Sequence, residues 1–375
     1  MLSIFIPQET LEDIIIDNMP ADIEPEDQDV WFKIFTKQEY IYVSSWDETK
    51  YPPDDDPLFK LSDSFGVEIR CETQYIEGIP ENHDLVTKYW NGIFLLDISE
   101  EEAAEIQRDY GVICQSVKKM DASILMDEGL RFSPKKDEKG YSWEFMLNKI
   151  NGEHIPSNHL IMIDRYLLAR DKDKNKKNDL DFIKSNIYDI LNAMLPTHQL
   201  KCRYTISFII GEQKEGESFF PSELSKMVNG ELIPNLHRPY GIDVEIIYLT
   251  HRSGLYTATH NRCILTNYTV TQLEHSLKAF EEGDEETDEG GESTCIQTIL
   301  PQGLFTASGL NDYCDSPHKT HHDVMSAIYD NLVWWVKNYL TTKSIYTLNG
   351  KTINIKNRYG AKKNGENWSL YVKSP

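Results

Sequence analysis

Apolar residues fall into two patterns along this chain. Some form short runs bounded by turn residues, and others recur at helical spacing, so the two together predict an α/β fold. Ile4-Phe5-Ile6 reads as a strand ended by Pro7, and Leu11 to Asp17 fits a helix or a strand. Residues 20–29 are acidic with two prolines and read as a loop. Trp31 to Phe35 and Tyr40 to Val43 read as strands on their aromatic and β-branched content. Tyr51-Pro52-Pro53-Asp54-Asp55-Asp56-Pro57 is a break, with its three aspartates solvated. Ile93 to Ile98 predicts a strand. Ser99 then caps a helix to about Asp109, with Glu102 reaching back in a capping box and Gly111 just past the end. Val112 to Val117 is the next strand.

In the second half, Leu160-Ile161-Met162-Ile163 is a buried strand running into Asp164-Arg165-Tyr166, with a charged loop from Asp171 to Asp179. Phe182, Ile183, Ile187, Ile190, Leu191 and Met194 recur at helical spacing. Strands are predicted at Tyr204 to Ile210, Val244 to Leu249 and Arg262 to Thr266, and helices at 221–229, Thr271 to Phe280 and His322 to Leu340. Glu281 to Glu292 carries eight acids and three glycines, too polar and self-repelling for a core. The polar stretches 133–141 and 151–158 bracket the expected domain boundary. The predicted organisation is an α/β domain over 1–150, a second α/β domain over 151–350, and a basic tail over 351–375.

Composition narrows the function classes. The chain has 375 residues and a formal net charge of −23, which disfavours broad nonspecific nucleic-acid binding. The charge is uneven: from Lys337 to Pro375 there are eight basic residues and one acid, so that tail can meet a polyanion or balance the protein's own acidic surface. No apolar run reaches the roughly 18 residues of a membrane span. The start, Met1-Leu2-Ser3-Ile4-Phe5-Ile6-Pro7, lacks the basic leader and long apolar stretch of a secretory signal. The six cysteines are scattered without a CxxC pair, as reduced thiols are, and the cytoplasm is the expected compartment.

Chemistry concentrates in His260-Asn261-Arg262-Cys263-Ile264-Leu265-Thr266-Asn267. This segment resembles the His-x-Lys-x4-Asp motif of phospholipase-D-type enzymes, with His260 in the nucleophile's place, Arg262 in the lysine's and Asn267 in the aspartate's. It is more similar to the degenerate phospholipase-D-like domain found C-terminal to MIT domains. That domain has a His-x-Arg strand, a polar turn (here Thr266-Asn267-Tyr268), a helix ending in Phe (here Leu277 to Phe280) and an earlier Asp-x-Tyr element (here Asp164-Arg165-Tyr166). The likeness covers about residues 155–280. It implies a phospholipase-D-like sheet flanked by helices and a noncatalytic binding or assembly module, with a protein partner or a second copy. Arg262 and Asn267 would line a vestigial anion pocket supported by Asp164 and Tyr166.

Arginine holds phosphate bidentately, so binding survives the change from lysine. Asn267 is neutral and cannot stabilise a charged imidazolium. The motif occurs once, whereas the catalytic family uses two histidines. The alternative is a dimeric phosphodiesterase or nuclease in which a two-fold axis supplies a second His260. A plainer alternative pairs His260 and Arg262 with nearby acids such as Asp164. Other constellations are weaker. Cys314, His318, His321, His322 and Asp323 are clustered but lack a second ligand pair for zinc. Asp17, Asp47 and Asp97 lie near expected strand ends and could gather round a divalent metal. No P-loop, GxGxxG or GxSxG motif is present, so no metal or cofactor is assigned.

Overall fold

The computed structural model describes residues 3–19, 23–24, 28–36, 38, 40–46, 50–52, 55–89, 92–126, 131–132, 155–169, 176–211, 219, 221–249, 262–273, 295–299, 346–348, 351–353 and 358–360. It is α/β, and the chain divides into two compact units: Met1–Glu128 with Ile299–Asp330, and Gly129–Thr298 with Asn331–Pro375. Among the described residues no helix is long and apolar enough to cross a membrane.

The first unit carries a five-stranded parallel sheet. Its elements in chain order are β1 (Ser3–Ile6), α1 (Gln8–Asn18), α2 (Val30–Phe35), β2 (Tyr40–Val43), α3 (Pro57–Phe65), β3 (Glu68–Cys71), α4 (Thr73–Gly78), a 3-10 turn (His83–Lys88), β4 (Gly92–Leu96), α5 (Glu100–Tyr110), β5 (Ile113–Ser116) and α6 (Ser123–Met126). The strand order is β3-β2-β1-β4-β5, so the chain winds outward from β1 and then restarts on its other side at β4. Every residue of β1 and β4 is buried, as central strands of a parallel sheet covered on both faces must be. Phe5 stacks on Tyr42 at 4.7 Å and on Phe94 at 5.0 Å, its partners across the sheet. Gly92 makes room for that row: a Cβ there would lie 2.6 Å from the Phe94 ring.

Two local readings change here. Trp31 to Phe35 is helical, not extended. The Asp29 side chain accepts from the Trp31 amide at 2.7 Å and starts α2, and Trp31 meets Phe35 one turn on, ring centroids 5.9 Å apart. Asp56 is buried rather than solvated. It caps α3 by accepting from the Leu58 and Phe59 amides and also accepts from Trp46 Nε1. The expected capping box on α5 is half formed: Ser99 Oγ accepts from the Glu102 amide, but the Glu102 carboxylate turns to His83 Nε2 at 3.1 Å.

The second unit carries β6 (Arg131–Phe132), β7 (His159–Asp164), α7 (Lys176–Met194), β8 (Tyr204–Gly211), α8 (Pro221–Met227), a π-helical turn (Val228–Leu232), α9 (Ile233–Leu236), β9 (Ile242–Leu249), β10 (Arg262–Thr266), β11 (Thr269–Leu273), β12 (Cys295–Ile299), β13 (Tyr346–Leu348), β14 (Lys351–Ile353) and β15 (Arg358–Gly360). Eight strands form a mixed sheet in the order β15-β9-β8-β7-β10-β11-β12-β6. β7, β8 and β9 are mutually parallel, and β10 runs antiparallel to β7. α7 supplies Ile183, Ile187, Ile190, Leu191 and Met194 to the core beneath β7 and β8. Each such burial is worth about 1.5–3 kcal/mol.

Because β6 already pairs with β12, the first unit ends before the expected boundary window. Thr269-Val270-Thr271-Gln272-Leu273 is a strand hairpinned onto β10, where a helix from Thr271 was expected. Its β-branched residues suit a pleated surface beside a neighbour strand. Leu277, Phe280, the acidic run 281–292 and the expected helix from His322 to Leu340 lie outside the described residues. Part of the basic C-terminal stretch joins the sheet, since Arg358–Gly360 pairs antiparallel with β9.

Candidate functional site

Parallel strands of an α/β sheet present ligands at their carboxyl ends. In the second unit, β7, β8 and β9 end at Asp164, Gly211 and Leu249, and the antiparallel β10 begins at that same edge with Arg262. The β7–β10 register pairs Cys263 with Ile163, and one step further places Arg262 opposite Asp164. The two motif fragments, nearly a hundred residues apart in sequence, therefore meet on adjacent strands.

The local chemistry explains the meeting. Asp164 is fully buried and its carboxylate accepts from the Tyr166 amide at 2.8 Å, an Asx-turn that ends β7 and turns the chain. Tyr166 then receives two guanidinium groups. Arg165 lies 4.8 Å from its ring centroid and donates to its hydroxyl, and Arg262 lies 5.3 Å from the centroid. Arg165, Tyr166 and Arg262 are each half-buried, where cation–π attraction exceeds its value in open water. Beneath them the Cys263 thiol is pushed upward in pKa by burial and by the neighbouring Asp164, so it stays protonated. Two guanidinium groups gathered on one aromatic ring, with the Asp164 carboxylate on the neighbouring strand, are a donor arrangement of the kind that pairs with oxyanions.

Of the residues anticipated from the sequence, Asp164, Tyr166 and Arg262 come together. Asn267 does not join them. It sits beyond the other end of β10, about 16 Å along the strand at about 3.3 Å per residue. Its side chain is fully buried. Oδ1 accepts from the Asn158 and His159 amides at 2.9 and 3.0 Å, and Nδ2 donates to Asn158 Oδ1 at 2.7 Å. The expected shared pocket of Arg262 and Asn267 is thus corrected: Asn267 ties the turn after β10 to the start of β7. His260 lies outside the described residues. Arg165 was not singled out from the sequence. Its signal was there as the middle residue of the Asp164-Arg165-Tyr166 element, a cation beside an aromatic.

In the first unit a polar group surrounds the start of α1, just past β1. Gln8 and Glu12 are buried. Gln8 Nε2 donates to Glu12, Ser45 Oγ donates to Gln8 Oε1 at 2.9 Å, and Lys50 Nζ meets Glu12 Oε2 at 2.6 Å. The Glu12 contact pushes the Lys50 ammonium up in pKa, and the ion pair clamps the segment after β2 onto α1. The three strand-end aspartates do not assemble there. Asp17 is exposed near the far end of α1, Asp97 pairs with Lys118 at 3.1 Å, and Asp47 is outside the described residues. Among the described residues no three His, Cys, Asp or Glu side chains gather as a metal site, and the cluster from Cys314 to Asp323 is outside them. No protein-family model matches the chain, and no curated protein matches it.

Proposed function

We propose that the second unit is a noncatalytic anion-binding module of phospholipase-D-like type, serving recognition or assembly rather than hydrolysis. The observation that carries this reading is the pair of guanidinium groups, Arg165 and Arg262, gathered on the Tyr166 ring at the carboxyl edge of parallel strands. Arginine presents a fixed fork of donors that matches a phosphate or carboxylate, and the aromatic ring restrains both forks before a ligand arrives. The noncatalytic part rests on Asn267. In the active motif an aspartate stands there to support a charged histidine. In this chain that position is neutral and held at the opposite end of β10 by backbone amides. A protein partner or a second copy carrying the anion fits the assembly role, in a cytoplasmic setting.

The test is calorimetric titration of the full chain with inorganic pyrophosphate, beside a phosphodiesterase and nuclease screen that includes His260→Ala. Binding without turnover is expected. Arg262→Lys keeps the charge opposite Asp164 but loses the fork, and should weaken binding at least tenfold, about 1.4 kcal/mol. Hydrolysis that disappears in His260→Ala overturns the noncatalytic reading in favour of a dimeric phosphodiesterase. Sedimentation then reports whether two chains pair.

A further inference from the structure

We infer that Asp164 is a specificity-determining residue of the arginine edge: its buried carboxylate, one strand away from Arg262, is a built-in counter-charge that weakens the hold on an anion in proportion to the charge the anion carries. The inference rests on the anion-binding reading of that edge, and it names the residue that sets how strongly charge alone is read there.

The sheet places the counter-charge. Continuing the β7–β10 register by one step sets Asp164 opposite Arg262, and partners across antiparallel strands lie about 4.5–5.5 Å apart at Cα. Asp164 accepts from the Tyr166 amide at 2.8 Å, which ties the carboxylate to the residue whose ring gathers both guanidinium groups. Its charge is felt locally, since it adds to the burial that pushes up the Cys263 thiol. Asp164 is also fully buried, so an incoming anion meets its field and not its oxygens. The formal charges of Arg165, Arg262 and Asp164 sum to +1, where the two arginines alone would give +2.

The carboxylate thus has two opposed effects. It shapes the edge through the turn at Tyr166, and it opposes the ligand through its charge. The two are separable, because the turn needs an acceptor oxygen and not a charge: Asn and Ser side chains make the same local hydrogen bond. At roughly 5–8 Å in water, each unit of ligand charge feels the carboxylate as about a two- to fourfold change in affinity. The factor compounds with ligand charge, so a multiply charged anion is penalised more than a singly charged one.

The experiment titrates the full chain with pyrophosphate, which carries several charges at neutral pH, and with dimethyl phosphate, which carries one and is read by its displacement of pyrophosphate. Four forms are compared, each with a melting curve: the natural sequence, Asp164→Asn, Asp164→Ser and Asp243→Asn. Asp243 pairs with Arg203 at 2.7 Å near the start of β9, the opposite end of the parallel strands, so its variant makes the same change in net charge away from the edge. The inference expects Asp164→Asn to bind pyrophosphate at least about fivefold tighter, with a gain for dimethyl phosphate at least about twofold smaller, and a change below about twofold in Asp243→Asn. Asp164→Ser should move both affinities in the same direction as Asp164→Asn. A residue that only held the turn would leave affinity unchanged or weaken it. Loss of affinity in both folded Asp164 variants, equal gains for the two anions, or an equal gain in Asp243→Asn overturns the inference, while pyrophosphate binding by the natural chain keeps the binding module. Failure of both Asp164 variants to fold overturns it too, since the carboxylate would then serve the fold. Absence of pyrophosphate binding in every form overturns both readings together.

Discussion

The two ends of β10 carry residues from one short motif and have opposite fates. At the C-terminal end Asn267 is fully buried, with both side-chain functions engaged by Asn158 and His159, and Thr266 Oγ1 pairs with Thr269 Oγ1 at 2.7 Å. At the N-terminal end Arg262 is half-buried, lies over Tyr166 beside Arg165, and faces the edge where parallel strands finish. Sequence spacing fixes which residues share a strand, but the sheet decides which end each occupies. Polar groups that point into the packed interior are consumed by backbone donors, since leaving those amides unsatisfied is costly. Polar groups at the other end of the strand lie partly exposed beside the ends of the parallel strands. Residues six positions or fewer apart in sequence can thus fall into a buried structural end and a partly exposed end of one strand.

The largest effect is expected at the closed end. Asn267→Ala leaves the Asn158 and His159 amides buried without their acceptor and should cost about 3 kcal/mol or more, at about 1–3 kcal/mol per orphaned group, read by chemical denaturation. Pyrophosphate affinity of the folded fraction should stay within twofold. A change in affinity as large as that of Arg262→Lys would erase the distinction between the two ends. In the core beneath both ends, Ile187→Ala should cost about 2–5 kcal/mol with no selective loss of binding.

At the open end the order reverses. Tyr166→Leu removes the ring that gathers both guanidinium groups, and cation–π contacts of about 0.5–2 kcal/mol each translate into a several-fold loss of pyrophosphate affinity, with a small change in melting. The capping aspartate of the first unit gives a reference for a purely structural side chain. Asp56→Ala should cost about 1 kcal/mol and leave binding unchanged.

The smallest effect is a pH dependence seated beneath the open end. Burial raises the pKa of the Cys263 thiol, and of Cys114 in the first unit, above the unfolded value of about 8.5. The folded chain then holds protons that the unfolded chain releases, so these thiols make stability fall as pH rises above about 8.5. Both should resist thiol reagents in the folded state, while the exposed Cys71 reacts. Serine at position 263 should flatten part of the alkaline decline measured by denaturation across pH 7.5 to 10. An unchanged slope would place the alkaline sensitivity elsewhere.

The sequence was most legible where burial is two-sided. Ile4 to Ile6 and Leu160 to Ile163 are continuous apolar runs, and Tyr204 to Ile210 is apolar apart from the buried Thr205 and Ser207, because parallel strands are covered on both faces, and each is a strand. It misled where one residue outweighs local propensity. Asp29 turns an aromatic, strand-like segment into α2, and β10 recruits Thr271 to Leu273 into a hairpin. Asp56 was hidden in a run of three acids, since which member becomes a buried cap depends on where Pro57 starts the helix. At the site, the residues that meet were readable from two motif fragments. Their distribution between the ends of β10 was not, because strand direction and depth of burial are properties of the whole sheet.

The most direct test of the account is pyrophosphate titration of Arg262→Lys and Asn267→Ala side by side with the natural chain, each paired with a denaturation curve. The account predicts that the lysine variant loses affinity at least tenfold with little loss of stability, and that the alanine variant loses stability with its affinity kept. Equal affinities for the natural chain and the lysine variant would contradict it, because the edge formed by Arg165, Tyr166 and Arg262 would then bind no anion through its fork of donors.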